Sequence, residues 1–313
     1  MNFNKEDIVL SHKRIAAWIH NTPVLTSSSL NQISGADLFF KCENFQKIGA
    51  FKMRGALNAV LSTSKEKSRK GFVTHSSGNH AQAVALSSKI ADTQAYIVMP
   101  KGAPKIKIKA VKGYGAEVTL CENNERSRVE TCQKIIKKTG ANFIHPYDND
   151  KVILGQSTCS KELYDEVENL DYIISPVGGG GLASGTILST MFFSKSTKVI
   201  LAEPENADDT YVSFNSKKLV PVSKPDTIAD GLKTSLSQKT FDIIMEGADE
   251  IITIDEREII SAMRMIWERL KVVCEPSCSL PLAAVLKNKK MFKNKRVGLI
   301  LTGGNVDLNN LPF

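Results

Sequence analysis

Short apolar runs alternate with stretches of helical period through most of the chain. GFVTH is followed by AQAVALSSKI, AYIVMP by PKIKIKAVKGYG, and YIISPV by LASGTILSTMFF. That order implies parallel strands joined by helical crossovers, and hence an α/β sheet covered on both faces. Sites in such sheets lie beyond the carboxyl ends of the strands, in the loops that lead into helices. Two polar breaks interrupt the pattern, Lys65 to Lys70 and the turn-rich HPYDND from His145 to Asp150, with no repeat or low-complexity linker. They predict a small α/β domain over 66–149 inserted into a larger domain formed by 1–65 and 150–313.

A length of 313 residues agrees with about two domains at roughly 150 residues each, both large enough to bury a core. With 42% hydrophobic and 24% charged residues, the chain has the balance of an ordinary globular protein. No apolar run approaches the ~18 residues that span a bilayer, and MNFNKEDIVLSHKR carries charges where a secretory signal places its apolar region. A cytoplasmic protein without a membrane partner is expected. Cys42, Cys121, Cys132, Cys159, Cys274 and Cys278 form no CxxC pair and have no histidine at ligand spacing, so reduced core thiols are expected rather than bridges or zinc.

The formal charge of 41 − 33 = +8 raises the question of a nucleic-acid partner. The basic residues concentrate in three separate stretches, Lys65 to Lys70, Lys101 to Lys112 and Lys287 to Arg296, without interleaved stacking aromatics. They read as solvated surface, with no nucleic acid bound.

Four loops carry candidate chemistry. In YIISPVGGGGLASGTIL, Gly178, Gly179, Gly180 and Gly181 stand between a strand and a helix. Glycines admit close approach of backbone amides to an anion, and a helix amino end adds partial positive charge, so a phosphate would be well held. Gly178, Gly180 and Ala183 also satisfy the GxGxxG/A dinucleotide pattern, and Glu203 ends the next strand where a ribose-binding acid would stand. An NAD-dependent dehydrogenase therefore competes at this point.

NFQKIGAFKMRGALNAV places Lys52 between Gly49 and Gly55 at a helix start. The dipole disfavours a cation there and lowers a lysine pKa, which favours an amine ready to form a Schiff base. A solvated first-turn residue is the alternative. VTHSSGNHAQAVA ends a strand with Ser76, Ser77, Gly78, Asn79 and His80, either a polar ligand-binding turn or a helix cap. VGLILTGGNVD ends a strand in a polar turn with Thr302 at its edge.

Together with TPVLTSSSLN, AEPENADD, TIADGLK and WERLKVVCEP, these segments resemble the fold type II pyridoxal-phosphate enzymes, and within them the serine racemase and serine/threonine dehydratase group. The resemblance runs in order along nearly the whole chain. It implies a tryptophan synthase beta-like fold of two doubly wound α/β domains and a homodimer. It implies pyridoxal 5'-phosphate bound to Lys52, with Phe51 beside it, the phosphate on Gly178 to Gly181, the ring hydroxyl on Asn79 and the pyridine nitrogen on Thr302. A neutral hydroxyl at that nitrogen makes a weaker electron sink than a carboxylate would.

The same resemblance implies that Ser76, Ser77, Gly78, Asn79 and His80 hold the carboxylate of a small amino-acid substrate. Ser77 corresponds to the racemase residue that lies across the cofactor from the lysine. Glu203, the carbonyl of Ala207 and Asp209 correspond to a site for Mg2+, or for Mn2+ or Ca2+. The implied activity is serine racemase with L-serine/L-threonine dehydratase (ammonia-lyase) activity. The alternative is a threonine dehydratase or threo-3-hydroxyaspartate ammonia-lyase without racemisation, in which Arg128 would meet the second carboxylate. Gly155-Gln156-Ser157 replaces the usual GQG, Cys278 and Ser279 stand where alanine or glycine is common, and Tyr147 follows the dehydratase and microbial pattern.

Overall fold

The computed structural model describes residues 3–103, 105–221 and 224–313. Ten strands among these residues form two sheets. In the larger sheet the order is β1 (Val24–Leu25), β2 (Asp37–Cys42), β10 (Arg296–Leu301), β7 (Tyr172–Pro176), β8 (Lys198–Pro204) and β9 (Glu250–Ile254). In the smaller it is β5 (Glu117–Cys121), β4 (Ala95–Pro100), β3 (Phe72–His75) and β6 (Asn142–Phe143). The chain leaves the larger sheet after β2 and returns to it at β7. Every pairing is parallel except one: β1 lies antiparallel on β2, with Val24 opposite Lys41. The all-parallel expectation fails there because a two-residue edge strand carries too little pattern to read.

The central strands β10, β7 and β8 carry apolar residues on both sides, as coverage by helices requires. Ile174, Ile200 and Leu299 pack with the helices Glu256–Leu270 and Pro276–Lys287 on one face. Their neighbours Ile173, Leu201 and Ile300 pack with Asp150–Glu166 and Gly181–Phe193 on the other, the two-residue alternation of a pleated strand. The helix Lys52–Leu61 buries Met53, Ala56, Leu57 and Val60 against Phe72, Ala81, Val84 and Ile97, so its apolar face is shared with the smaller sheet.

Two close approaches fix that helix. A Cβ on Gly155 would lie 2.5 Å from the Arg54 carbonyl oxygen and 2.6 Å from Gly55 Cα, so the helices Lys52–Leu61 and Asp150–Glu166 meet backbone to backbone. Beside that contact Arg54 is fully buried and uses all five donors: Nε and Nη2 on Glu43 at 2.7 and 2.8 Å, Nη1 and Nη2 on Glu162 at 2.7 and 2.6 Å, and Nη1 on Thr158 at 3.2 Å. Lys41 adds a 2.9 Å ion pair to Glu162. A buried ion pair is retained only when its hydrogen bonds are satisfied, and this network is. All six cysteines are free and buried.

Candidate active site

Lys52 is the first residue of its helix, directly after Phe51 and within 5.0 Å of that ring's centroid. Its Nζ donates to the Pro146 carbonyl at 3.1 Å. Desolvation lowers the ammonium pKa to about 8, opposed by the nearby Glu275 carboxylate. Removal from water thus favours the activated amine. The Phe51 amide donates to the Thr302 carbonyl at 3.0 Å, and Ala50 bridges to Gly303, so the lysine loop is tied to the end of β10.

Gly178 to Gly181 link β7 to the helix Gly181–Phe193, which has no side-chain cap. Its first amides are therefore open to an anion. The loop has no room for side chains: a Cβ on Gly178 would lie 2.8 Å from Leu232 Cα, and one on Gly181 2.8 Å from Tyr147 Cβ. Gly180 has φ +84°, a conformation that glycine adopts without strain.

Ser76, Ser77 and Gly78 form the turn between β3 and the helix Asn79–Ile90, and Ser76 Oγ accepts from the Gly78 amide at 3.3 Å. Asn79 Nδ2 donates to Glu275 Oε1 at 2.9 Å, and Asn79 Oδ1 accepts from Asn305 Nδ2 at 2.8 Å. His80 is buried with Nε2 3.2 Å from the Ile144 carbonyl and Nδ1 unpartnered. Desolvation, helped by the Lys52 charge, pushes its pKa down to about 3, so the ring is neutral and Nε2 is the donor. Thr302 Oγ1 is buried without a partner at the end of β10.

The four loops converge. Lys52 reaches the segment before Tyr147, Tyr147 walls the glycine loop, Asn79 meets Glu275, and the Glu275 amide donates to the Gly303 carbonyl at 3.0 Å beside Thr302. Glu203 makes none of the contacts just named. It is fully buried at the end of β8, and its oxygens accept from the amides of Thr210 and Tyr211 at 3.0 and 2.8 Å. Asp209 Oδ2 accepts from the Leu236 amide at 3.3 Å, its Oδ1 is buried without a partner, and Ala207 is buried between the two acids in sequence. Among the described residues no three His, Cys, Asp or Glu side chains gather as a metal cluster.

A family model described as pyridoxal-phosphate dependent enzyme matches residues 15–303. The chain belongs to that family. It is 49% identical to the serine racemase of Dictyostelium discoideum over 98% of this chain and 96% of the relative. It is 46% identical to the beta-hydroxyaspartate dehydratase of Paracoccus denitrificans over 98% of both chains. The crystal structure of the Dictyostelium serine racemase superposes with a TM-score of 0.93, covering 97% of this chain and 98% of that one. The fold is the fold type II architecture of this family, and the dehydrogenase alternative falls away.

The residues present fit the family's cofactor. The orphaned Thr302 hydroxyl offers a neutral partner for a ring nitrogen, the glycine loop offers uncapped amides for a phosphate, and Lys52 offers an amine with a lowered pKa. Sequence reasoning missed Glu275 and Asn305 as members of the site. Glu275 stands before Pro276 at a helix start and reads there as an ordinary acidic N-terminus, so no local signal marked it.

Proposed function

We propose that this pyridoxal-phosphate enzyme is a serine racemase that also deaminates L-serine and L-threonine. The observation that supports the reading is that Lys52 and Ser77, the two residues assigned to proton transfer, stand on separate elements. Lys52 comes from the helix Lys52–Leu61, and Ser77 from the turn ahead of the helix Asn79–Ile90. Bound cofactor supplies the electron sink that makes the α proton of an amino acid acidic. Ser76 to His80 then hold the substrate carboxylate with a hydroxyl and helix-start amides. Lys52 removes the α proton on one face, and Ser77 returns one on the other. Loss of the β hydroxyl instead yields pyruvate or 2-oxobutanoate with ammonia. A hydroxyl at Thr302, rather than a carboxylate, suits a reaction in which proton removal and departure of the hydroxyl are coupled.

The decisive experiment is chiral chromatography of products from wild type and Ser77→Ala. The variant should retain cofactor colour and elimination from L-serine, while D-serine formation falls by a factor on the order of a hundred or more. Equal D-serine yields would leave Ser77 without a part in proton transfer, and no D-serine from either protein would leave a dehydratase.

One observation favours a second reading. Arg128 Nε is buried without a partner, while Nη2 donates to Asn123 Oδ1 at 3.1 Å. Desolvation depresses the pKa of His75, the residue before Ser76, and the Arg128 charge adds to that. A cation so placed suits a second carboxylate, as in threo-3-hydroxyaspartate, and the Paracoccus relative is named for that class of substrate. Elimination from hydroxyaspartate alone, lost in Arg128→Ala, would favour this alternative.

The same reading includes a divalent cation, Mg2+ or else Mn2+ or Ca2+, on Glu203, the Ala207 carbonyl and Asp209. Its support is the orphaned Asp209 Oδ1 and the desolvation that pushes Glu203 up to about 8 and Asp209 up to about 7, a cost that a bound cation would offset. We further propose a cytoplasmic homodimer, with 66–149 as the substrate-loop domain and 1–65 with 150–313 as the cofactor domain. Among the described residues no helix is long and apolar enough to cross a membrane.

A further inference from the structure

The Asn79 side chain is gripped from two sides by residues of different elements. Its Nδ2 donates to Glu275 Oε1 at 2.9 Å, and its Oδ1 accepts from Asn305 Nδ2 at 2.8 Å. Both partners are themselves anchored. Asn305 Nδ2 also donates to the Ile48 carbonyl at 2.7 Å, shortly before Lys52 in the chain. The Glu275 amide donates to the Gly303 carbonyl at 3.0 Å, and a Cβ on Gly303 would lie only 2.7 Å from Glu275 Oε1.

A side-chain amide has an acceptor end and a donor end of similar shape, so its orientation is set by its partners. Turning the Asn79 amide by half a turn would set Oδ1 against a carboxylate oxygen and Nδ2 against another amide nitrogen. Two attractive contacts would become two repulsive ones. A single orientation is therefore compatible with these neighbours. Of the two hydrogens on Nδ2, Glu275 takes one, and the hydrogen left over belongs to an N–H.

We propose that Glu275 is a positioning residue which, with Asn305, locks the Asn79 amide so that its spare N–H, and not its carbonyl, faces the ring oxygen of bound pyridoxal phosphate. The inference rests on the reading of Asn79 as the partner of that oxygen. A fixed N–H donor favours the charged ring oxygen over the hydroxyl, because hydrogen bonds to ionised acceptors are the stronger ones. A donor held in advance needs no reorientation when the cofactor arrives. The bond from Asn79 also lowers a Glu275 carboxyl that desolvation raises to about 7.

The test compares absorption spectra of holoenzyme, and titrations of apoenzyme with pyridoxal phosphate, across five proteins. Wild type should show a visible band from the form with a charged ring oxygen. Glu275→Ala should lose part of that band to one in the near ultraviolet and bind cofactor about tenfold more weakly, the scale of one charged hydrogen bond. Glu275→Gln should restore the visible band, since its amide oxygen still accepts from Asn79. Asn305→Ala should shift in the same direction as Glu275→Ala, and it carries the same comparison should Glu275→Ala fail to fold. An unshifted Asn305→Ala, or a Glu275→Gln as impaired as Glu275→Ala, would overturn the lock. Asn79→Ala separates the two layers of the argument. If it keeps the wild-type spectrum, Asn79 does not face the ring; if it shifts while Glu275→Ala does not, Asn79 is correctly placed and the lock is refuted.

Discussion

Replacing Arg54 by methionine keeps most of the side-chain volume and removes five hydrogen bonds at once. Arg54 and Glu43 are fully buried, and Glu162 is 4% exposed. After the change Glu162 keeps Lys41 at 2.9 Å and His12 at 3.1 Å, whereas among the described residues Glu43 keeps one side-chain donor, the Thr22 hydroxyl at 2.6 Å. One buried carboxylate is stranded, and the cost of such a loss is about 3–5 kcal/mol. That corresponds to a fall in Tm on the order of 10 °C. In the wild type, desolvation pushes the Glu162 carboxyl up, but hydrogen bonds from His12 and Arg54 hold it well below the usual carboxylate range. A lowered folded-state pKa gives stability that is present above the ordinary carboxylate pKa and lost as pH falls through the folded value. The gap between Arg54→Met and wild type should therefore be full from neutral pH down to the ordinary carboxylate pKa, and narrow only as pH falls below ~4. Urea and thermal unfolding across that range measure it. Arg126, 88% exposed and paired with Glu130 at 2.7 Å, is the control, and Arg126→Ala should change nothing measurable. A loss for Arg54→Met no larger than the control's, or a gap independent of pH, would refute the argument.

Two further outcomes follow from the site. Because desolvation lowers Lys52 to about 8, its neutral amine is populated at lower pH than in a free lysine, so capture of pyridoxal phosphate by apoenzyme should rise with pH and level off above that value; stopped-flow absorbance checks it, and a midpoint near 10 would contradict the lowered pKa. A chelator should lower the Tm of metal-loaded protein, with saturation at about a hundredfold over Kd worth roughly 2.7 kcal/mol, and Glu203→Ala should remove the response, as differential scanning fluorimetry would report.

The alternation of short apolar runs with helical stretches determined the α/β class, because a strand buried on both faces must be continuously apolar wherever it stands in the chain. The loops bearing Gly178 to Gly181, Lys52, Ser76 to His80 and Thr302 were legible for a related reason. Each follows or precedes such a run, and backbone chemistry at strand ends and helix starts is local. What stayed hidden depends on contacts between distant segments. Glu275 lies 196 positions from Asn79, and nothing near either residue marks the pair. Lys52 carries its lowered pKa from desolvation, which exists only once the loops close over it. Arg54 meets Glu162, 108 positions away, only because the helix Asp150–Glu166 packs against its own. Side-chain type and local period are properties of the sequence, whereas burial and partnership between remote residues come into being only when the chain has folded.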